Sequence, residues 1–125
     1  MSVIALNYVN QMMQEIEVPY RFGRWEGTPP EWYCVCESYT EIPLPNKEED
    51  GRHETTLYLR LYTRKSPIVL EEAKEKIEKH FNKTAILENG SGLAVTTENP
   101  MYIKTGDNTL HSYKINLILQ EWKVN

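Results

Sequence analysis

Residues 54–64 alternate between hydrophobic and polar or aromatic side chains. A period of two over this length predicts a β-strand with one buried face and one face in contact with water. The buried positions are Leu57, Leu59 and Leu61, and the opposite positions are Thr56, Tyr58, Arg60 and Tyr62. Two tyrosines are unexpected on the wet side, where Lys, Glu and Ser are the commoner residues.

Apolar residues spaced three and four apart predict two helices. The first covers residues 3–16, with Ser2 as its N-cap, and it ends before Pro19. The second follows Ser66, the predicted N-cap, and has Pro67 at its first position. Its predicted buried stripe is Leu70, Ala73, Ile77 and Phe81.

Four more segments have the pattern of strands, namely residues 20–25, 31–42, 93–97 and 110–124. The first two are predicted to form a hairpin around a turn at 26–30. In the last strand the inward positions are Tyr113, Ile115, Leu117 and Leu119, and the outward positions are Lys114, Asn116, Ile118, Gln120 and Trp122. Residues 99–108 contain Pro100 and Gly106 and are predicted to be a loop.

The predicted order of elements is α-β-β-β-α-β-β, and the 125 residues suit a single domain. Strands that come in runs favour the α+β class. We therefore predict a single domain over residues 1–125, a two-layer sandwich of a mostly antiparallel sheet with both helices on its leucine face.

The opposite, outward side of this sheet is the candidate interface. Aromatic residues and arginine are typical of the centres of protein interfaces. The candidate interface residues are Tyr33, Tyr39, Tyr58, Arg60, Tyr62, Ile118 and Trp122. The simpler interpretation is that such tyrosines only pair across neighbouring strands, but agreement among three strands favours an interface. A ligand groove and a homo-oligomeric ring both fit this pattern.

Charge and hydropathy narrow the classes of function. The net charge is −4 and no basic block is present, which disfavours direct, sequence-specific nucleic-acid binding. No apolar run approaches the ~18 residues of a membrane span, and no signal-peptide pattern is present. We expect a cytosolic protein that does not bind membranes.

The sequence offers little that indicates catalysis or cofactor binding. Cys34 and Cys36 lie two apart on a predicted strand and are expected to be buried thiols. As half of a metal site they would need ligands from His53, His80 or His111, none of which has a standard spacing. We predict no enzyme activity, no cofactor and no metal.

Residues 43–53 contain two prolines, a glycine and several carboxylates, without periodicity. They are predicted to form a long, mobile, acidic loop. Loops of this length in a compact domain are often functional, although a solvated linker is about equally consistent with the pattern. The candidate assembly residues in it are Lys47, Glu48, Glu49 and Asp50.

Several short segments carry a family resemblance, namely residues 18–25, 39–41, 50–51 before 54–56, 88–92 and 121–123. With the order of elements, they resemble small prophage tail proteins of Gram-positive bacteria and the tail terminator, or tail completion, proteins of long-tailed phages. The resemblance implies a ring, commonly of six subunits, that caps the tail tube and presents a surface for joining the head. No residue of the family can be transferred to a position here.

Two hypotheses of different classes follow. The resemblance implies a structural tail assembly protein, a terminator or head–tail joining component, whose partners are other copies, tail tube proteins and connector proteins. It would lie in the bacterial cytoplasm during assembly and then in the virion tail. The alternative is a small α+β ligand-binding or enzymatic domain that uses the aromatic sheet face as the floor of a pocket.

Overall fold

The computed structural model describes residues 2–43 and 53–123. Helix α1 spans Val3–Glu15 and helix α2 spans Ile68–Phe81. The strands are β1 (Tyr20–Phe22), β2 (Trp32–Pro43), β3 (His53–Thr63), β4 (Lys83–Ile86), β5 (Gly92–Lys104) and β6 (His111–Trp122). They form one six-stranded sheet in the order β1-β2-β3-β6-β5-β4.

Both predicted helices are present. The Ser2 hydroxyl accepts a hydrogen bond from the Ala5 N–H at 3.1 Å, so the predicted N-cap of α1 is confirmed. At α2 the Ser66 hydroxyl accepts from the Ile68 N–H at 3.3 Å, and Pro67 occupies the cap position. The start of α2 is therefore one residue later than predicted.

The sheet is mixed and curls into a half-barrel, so the predicted two-layer sandwich with a mostly antiparallel sheet is wrong. The predicted hairpin is also wrong, because β1 runs parallel to β2, with Tyr20 beside Cys34 and Phe22 beside Cys36. Gly23, with a φ of +96°, ends β1 in a conformation that favours glycine. Residues 23–31 then lead the chain back to the start of β2.

The second half of the chain contains one strand more than predicted. Strand β4 pairs antiparallel with β5 and was missed. Strand β5 also continues through most of the predicted loop, to Lys104. A register shift between Glu98 and Met101 accommodates Asn99, whose φ is +54°, and Pro100. Proline is tolerated here because β4 pairs with β5 only as far as Val95, which leaves this stretch at the sheet edge.

The inner face of the sheet is the face that both helices cover. The side chains of Leu57, Leu59 and Leu61 are at most 1% exposed there. They join one core with residues from both helices and from β6, among them Val9, Met13, Ile77, Phe81, Ile115 and Leu117. Burying each such leucine contributes about 1.5–3 kcal/mol of transfer free energy, so this face dominates the stability of the fold.

The outer face is the opposite side of the sheet. Residues paired directly across antiparallel strands point to the same face, so the register assigns its members. From β1 towards β4 they include Arg21, Tyr33, Val35, Tyr58, Arg60, Tyr62, Ser112, Lys114, Asn116, Ile118, Trp122 and Gly92. The predicted inward and outward positions of the last strand are confirmed by this register.

One predicted position is on the wrong face. A bulge between Cys36 and Ser38 adds a residue to β2, and Tyr39 then pairs with Leu57. An extra residue reverses the alternation of every later side chain. Tyr39 therefore lies on the inner face, where its ring centroid is 5.8 Å from that of Phe22.

Candidate functional site: the outer face of the sheet

The outer face brings together most of the candidate interface residues. Those on it are Tyr33, Tyr58, Arg60, Tyr62, Ile118 and Trp122. All of them are half-buried, while Tyr39 is 49% exposed on the other face. The candidate loop residues Lys47, Glu48, Glu49 and Asp50 lie outside the described residues.

An aromatic row crosses the outer face at the end where β2 begins. It consists of Trp25, Tyr33 and Tyr62. The ring centroids of Trp25 and Tyr33 are 5.4 Å apart, and those of Tyr33 and Tyr62 are also 5.4 Å apart. Each tilted pair at this distance contributes about 0.5–1.5 kcal/mol beyond its buried area, so the row is held in a defined geometry.

A line of cations lies beside the aromatic row. Arg21 pairs with Val35, Val35 with Arg60, and Arg60 with Lys114. The three cations therefore lie in one row across β1, β3 and β6, with Val35 of β2 between the two arginines. The Arg21 guanidinium stacks over the Trp25 ring, 4.6 Å from its centroid. Arg60 donates to the Ser112 hydroxyl at 3.5 Å. Aromatic and arginine side chains therefore form one continuous surface.

The bulge residue Glu37 is the acidic partner on this surface. The Tyr62 hydroxyl donates a hydrogen bond to its carboxylate. Burial, followed by this hydrogen bond and the charge of Glu37, raises the pKa of Tyr62 to about 12, while Arg60 acts in the opposite direction. Tyr62 is thus a neutral donor at physiological pH.

Trp122 covers the far end of the outer face. Its indole lies over Gly92, where an added Cβ would be 2.6 Å from Nε1. Only glycine leaves room for this ring, which is half-buried as a result. The composition of Gly90-Ser-Gly92 is typical of a turn, yet Gly92 is the first residue of β5.

Asn116 occupies the centre of the outer face, between Tyr58 and Glu98 in register. Its side chain is 8% exposed, and within the described chain Oδ1 has no hydrogen-bond partner. A buried acceptor left unpaired costs about 1–3 kcal/mol, so this position is not optimised for the stability of an isolated chain.

Sequence reasoning placed Asn116 outward without giving it a role, and it missed Arg21 and Trp25. Arg21 lies on the short strand β1 and Trp25 lies in the segment after it, a region that the sequence predicts to be a hairpin. Their contacts depend on the parallel pairing of β1, for which the local sequence contains no signal. A cation three or four residues from a tryptophan is too common to be informative by itself.

The two cysteines are buried and free, as predicted. They lie on the inner face, opposite Leu61 and Leu59. Burial raises the pKa of the Cys34 thiol far above its usual range and that of Cys36 to about 11, so the reactive thiolate is disfavoured at both.

Two other kinds of site are absent from the described part of the chain. Within residues 2–43 and 53–123, no group of three or more His, Cys, Asp or Glu side chains could hold a metal ion. Over the same ranges, neither helix has the length and apolar character needed to cross a membrane.

Comparison with models of known protein families gives no match, and comparison with curated proteins gives none either. The resemblance to phage tail proteins stays a prediction.

Proposed function

We propose that this protein is a structural assembly protein whose outer face binds a neighbouring protein subunit. Within that class we propose a phage tail component, a terminator ring that caps the tail tube or an adjacent head–tail joining protein. The neighbouring subunit in a ring is another copy of the chain, and the other partners are tail tube and connector proteins. The tail assignment derives from the sequence resemblance, whereas the assembly role derives from the outer face.

The observation that carries the assembly role is the aromatic row with its flanking arginines. Trp25, Tyr33 and Tyr62 present large rings in fixed positions, and Arg21 and Arg60 lie beside them. Tyr, Trp and Arg in this arrangement are the residue types that contribute most to binding at protein interfaces. The rings lose little conformational entropy on binding because they are already packed against each other.

The unpaired acceptor of Asn116 supports the same role. Asn116 lies at the centre of the outer face, so a partner that displaces the covering side chains can supply the missing donor. A buried polar group that is satisfied only in a complex makes that complex more specific.

Native mass spectrometry over a concentration series tests self-association through the outer face. We expect the wild-type chain to form oligomers and the Tyr58→Ser/Tyr62→Ser double variant to remain a monomer over the same range. Both side chains lie outside the core, so circular dichroism should show an intact fold for the variant.

The matched control is Tyr102→Ser. Tyr102 is 48% exposed but pairs with Tyr113, so it lies off the outer face. It should leave the oligomeric state unchanged. A wild-type chain that stays monomeric at high concentration and on addition of tail tube protein would overturn the assembly role. An unfolded double variant would show that the outer face is part of the core instead.

The tail assignment has its own test. Genes for a tail tube and a tape measure protein beside the coding gene are the expected finding. Purified tail tube protein should then polymerise into tubes of unlimited length, which the wild-type chain stops and the double variant does not. Self-association without any effect on the tubes would retain the assembly role and remove the tail assignment.

A further inference from the structure

Three cations on the outer face have no acidic partner. Arg21, Arg60 and Lys114 form the cation line, one row across β1, β3 and β6. None of them forms an ion pair with a carboxylate among the described residues. Arg64, by contrast, pairs with Asp107 at 3.0 Å. The cation line therefore keeps its positive charge available to a partner.

The two arginines of the line are held in place with donors to spare. An arginine has five N–H donors in one plane. Arg21 stacks over the Trp25 ring and donates from Nη1 to the Tyr20 carbonyl at 3.1 Å. Arg60 donates to the Ser112 hydroxyl at 3.5 Å. Because a guanidinium binds a carboxylate through two parallel hydrogen bonds, this arrangement favours a carboxylate as the ligand.

The acidic side chains of the same face do not neutralise the line. Glu37 accepts from the Tyr62 hydroxyl, and Glu98 pairs in register with Asn116. Glu54 lies six residues before Arg60 on β3. None of these three carboxylates forms an ion pair within the described chain. The missing carboxylates must therefore come from elsewhere.

The sequence contains a single run of three consecutive acidic residues, at 48–50, here named the acidic run. It lies outside the described residues, and its three carboxylates match the three cations in number and sign. The acidic residues of α2 are less suitable, because Lys74 pairs with Glu71 at 3.2 Å and with Glu78 at 3.7 Å. Charge complementarity therefore favours the acidic run as the occupant of the cation line.

Chain length excludes this contact within one copy. Strand β3 begins at His53, and Arg60 lies seven residues, or about 23 Å, further along it. A chain extends by at most about 3.6 Å per residue, so connectivity keeps Glu49, four residues before His53, within about 14 Å of it. The acidic run cannot lie along the cation line of its own copy. A second copy is the source that charge and reach both select.

We propose that the acidic run of one copy binds the cation line of a second copy of this chain. This inference rests on the proposed self-association through the outer face, and it names the segment that the neighbouring copy contributes. The contact joins two different surfaces and is therefore heterologous, so its repetition around a closed set of copies produces a ring.

Charge exchange between the two surfaces tests the proposal. The segment-reversed chain carries Glu48→Lys and Glu49→Lys, and the face-reversed chain carries Arg60→Glu and Lys114→Glu. Each should lose the oligomers seen for wild type in native mass spectrometry, because like charges then face each other. The chain with all four changes should regain them. Its net charge is again −4, since the two double changes cancel, so total charge does not explain the rescue.

The matched control is a chain with Lys76→Glu and Lys83→Glu. It changes the net charge as much as the face-reversed chain does, but both positions lie off the outer face, on α2 and β4. Its oligomers should persist. A four-fold variant that stays monomeric while this control forms oligomers would overturn the pairing of the acidic run with the cation line.

A peptide titration measures the same contact without self-association. The receptor is the ¹⁵N-labelled segment-reversed chain, which keeps the native cation line, and the ligand is a peptide of residues 43–53. We expect chemical-shift changes at the Trp25 indole N–H and at the amides of Arg60 and Lys114. They should diminish at 1 M salt, where the Debye length falls to about 3 Å from about 10 Å at 0.1 M.

The control peptide has the same length and lacks the charge, with Glu48→Gln, Glu49→Gln and Asp50→Asn. It should leave these signals unchanged. Equal shifts with both peptides, or shifts confined to the rest of the chain, would overturn the acidic run as the ligand.

Failure of this inference and failure of the proposed self-association give different results. Oligomers that persist in the segment-reversed chain and still require Tyr62 would overturn the acidic run and retain the outer-face role. A wild-type chain without oligomers, whose cation line still binds the charged peptide, would remove self-association as the function and retain the contact between the two segments.

Discussion

The two faces of β3 differ in how their side chains are covered. On the inner face the leucines are buried by helices from the same chain, and they are at most 1% exposed. On the outer face Tyr58, Arg60 and Tyr62 are half-buried, and the contacts seen for them are with side chains of the same face. The inner face is thus completed within the chain, whereas the outer face keeps large side chains available.

This difference separates stability from recognition. The inner face combines many apolar contacts that are individually weak and collectively large. The outer face relies on few contacts with definite geometry, the aromatic row and the Tyr62–Glu37 hydrogen bond. Substitutions on the two faces should consequently affect different measurements, the free energy of unfolding for one and association for the other.

The largest expected effect is the loss of a core leucine. Leu59→Ala should lower the free energy of unfolding by about 2–5 kcal/mol, because it leaves a cavity in the core. The neighbouring Tyr58→Ala, on the outer face, should cost less than about 1.5 kcal/mol. Urea denaturation followed by circular dichroism compares the two. Equal losses would mean that the faces are not energetically distinct.

Thiol reactivity gives the next contrast. Burial is the main reason that the pKa of Cys36 rises to about 11, from an ordinary value of 9.0. Two pKa units reduce the thiolate fraction at pH 8 by about 100-fold, and alkylation by iodoacetamide should slow at least as much. A thiol placed on the outer face by Tyr58→Cys is the control. Mass spectrometry should find that outer thiol modified first, and equal rates would contradict the assigned burial.

Trp122 and Gly92 allow the outer face to be disturbed at one point. Gly92→Ala places a methyl group against the indole and should cost about 1–3 kcal/mol. In a Trp122→Leu background the same change should cost clearly less, because the smaller side chain leaves room. Urea denaturation of wild type, the two single variants and the double variant measures the coupling free energy between the two positions. An equal cost in both backgrounds would show that the backbone at Gly92 is responsible.

The faces of β3 and β6 could be predicted because their alternation runs without interruption. Leu57 and Leu117 point inward for the reason that the sequence suggests, which is the burial of every second side chain. The stripe of α2 was predicted for the same reason, with a helical period. Patterns of this kind depend on residues close in sequence, and the same residues are buried in the folded chain.

The errors arose where long-range pairing decides the structure. The bulge at Glu37 has no sequence signature, and it moved Tyr39 to the inner face. Strand β4 is short and mostly exposed, so its pattern is too weak to be recognised. The parallel pairing of β1 depends on contacts with β2 rather than on the turn residues between them. The aromatic row depends on that pairing as well.

The smallest expected effect concerns one hydroxyl on the outer face. Tyr62→Phe keeps the ring beside Tyr33 and removes the donor to Glu37. It should lower the free energy of unfolding at pH 7 by about 0.5–1 kcal/mol, since an exposed hydrogen bond exchanges with water. Urea denaturation measures this value. A loss as large as that of Leu59→Ala would remove the contrast between the two faces.

The difference in free energy of unfolding between wild type and Tyr62→Phe also depends on pH, and the sign of this dependence follows from the pKa of Tyr62. In the folded chain burial and Glu37 raise the pKa of Tyr62 to about 12, whereas an unfolded tyrosine ionises near 10.0. The unfolded state therefore releases this proton first as pH rises, and between pH 10 and 12 ionisation favours unfolding of the wild-type chain. Tyr62→Phe lacks the group, so the stability advantage of wild type measured at pH 7 should shrink across this interval. The other tyrosines are common to both chains and cancel in the difference. A difference in urea midpoint that stays constant from pH 7 to 11.5 would mean that Glu37 does not hold the Tyr62 proton in solution.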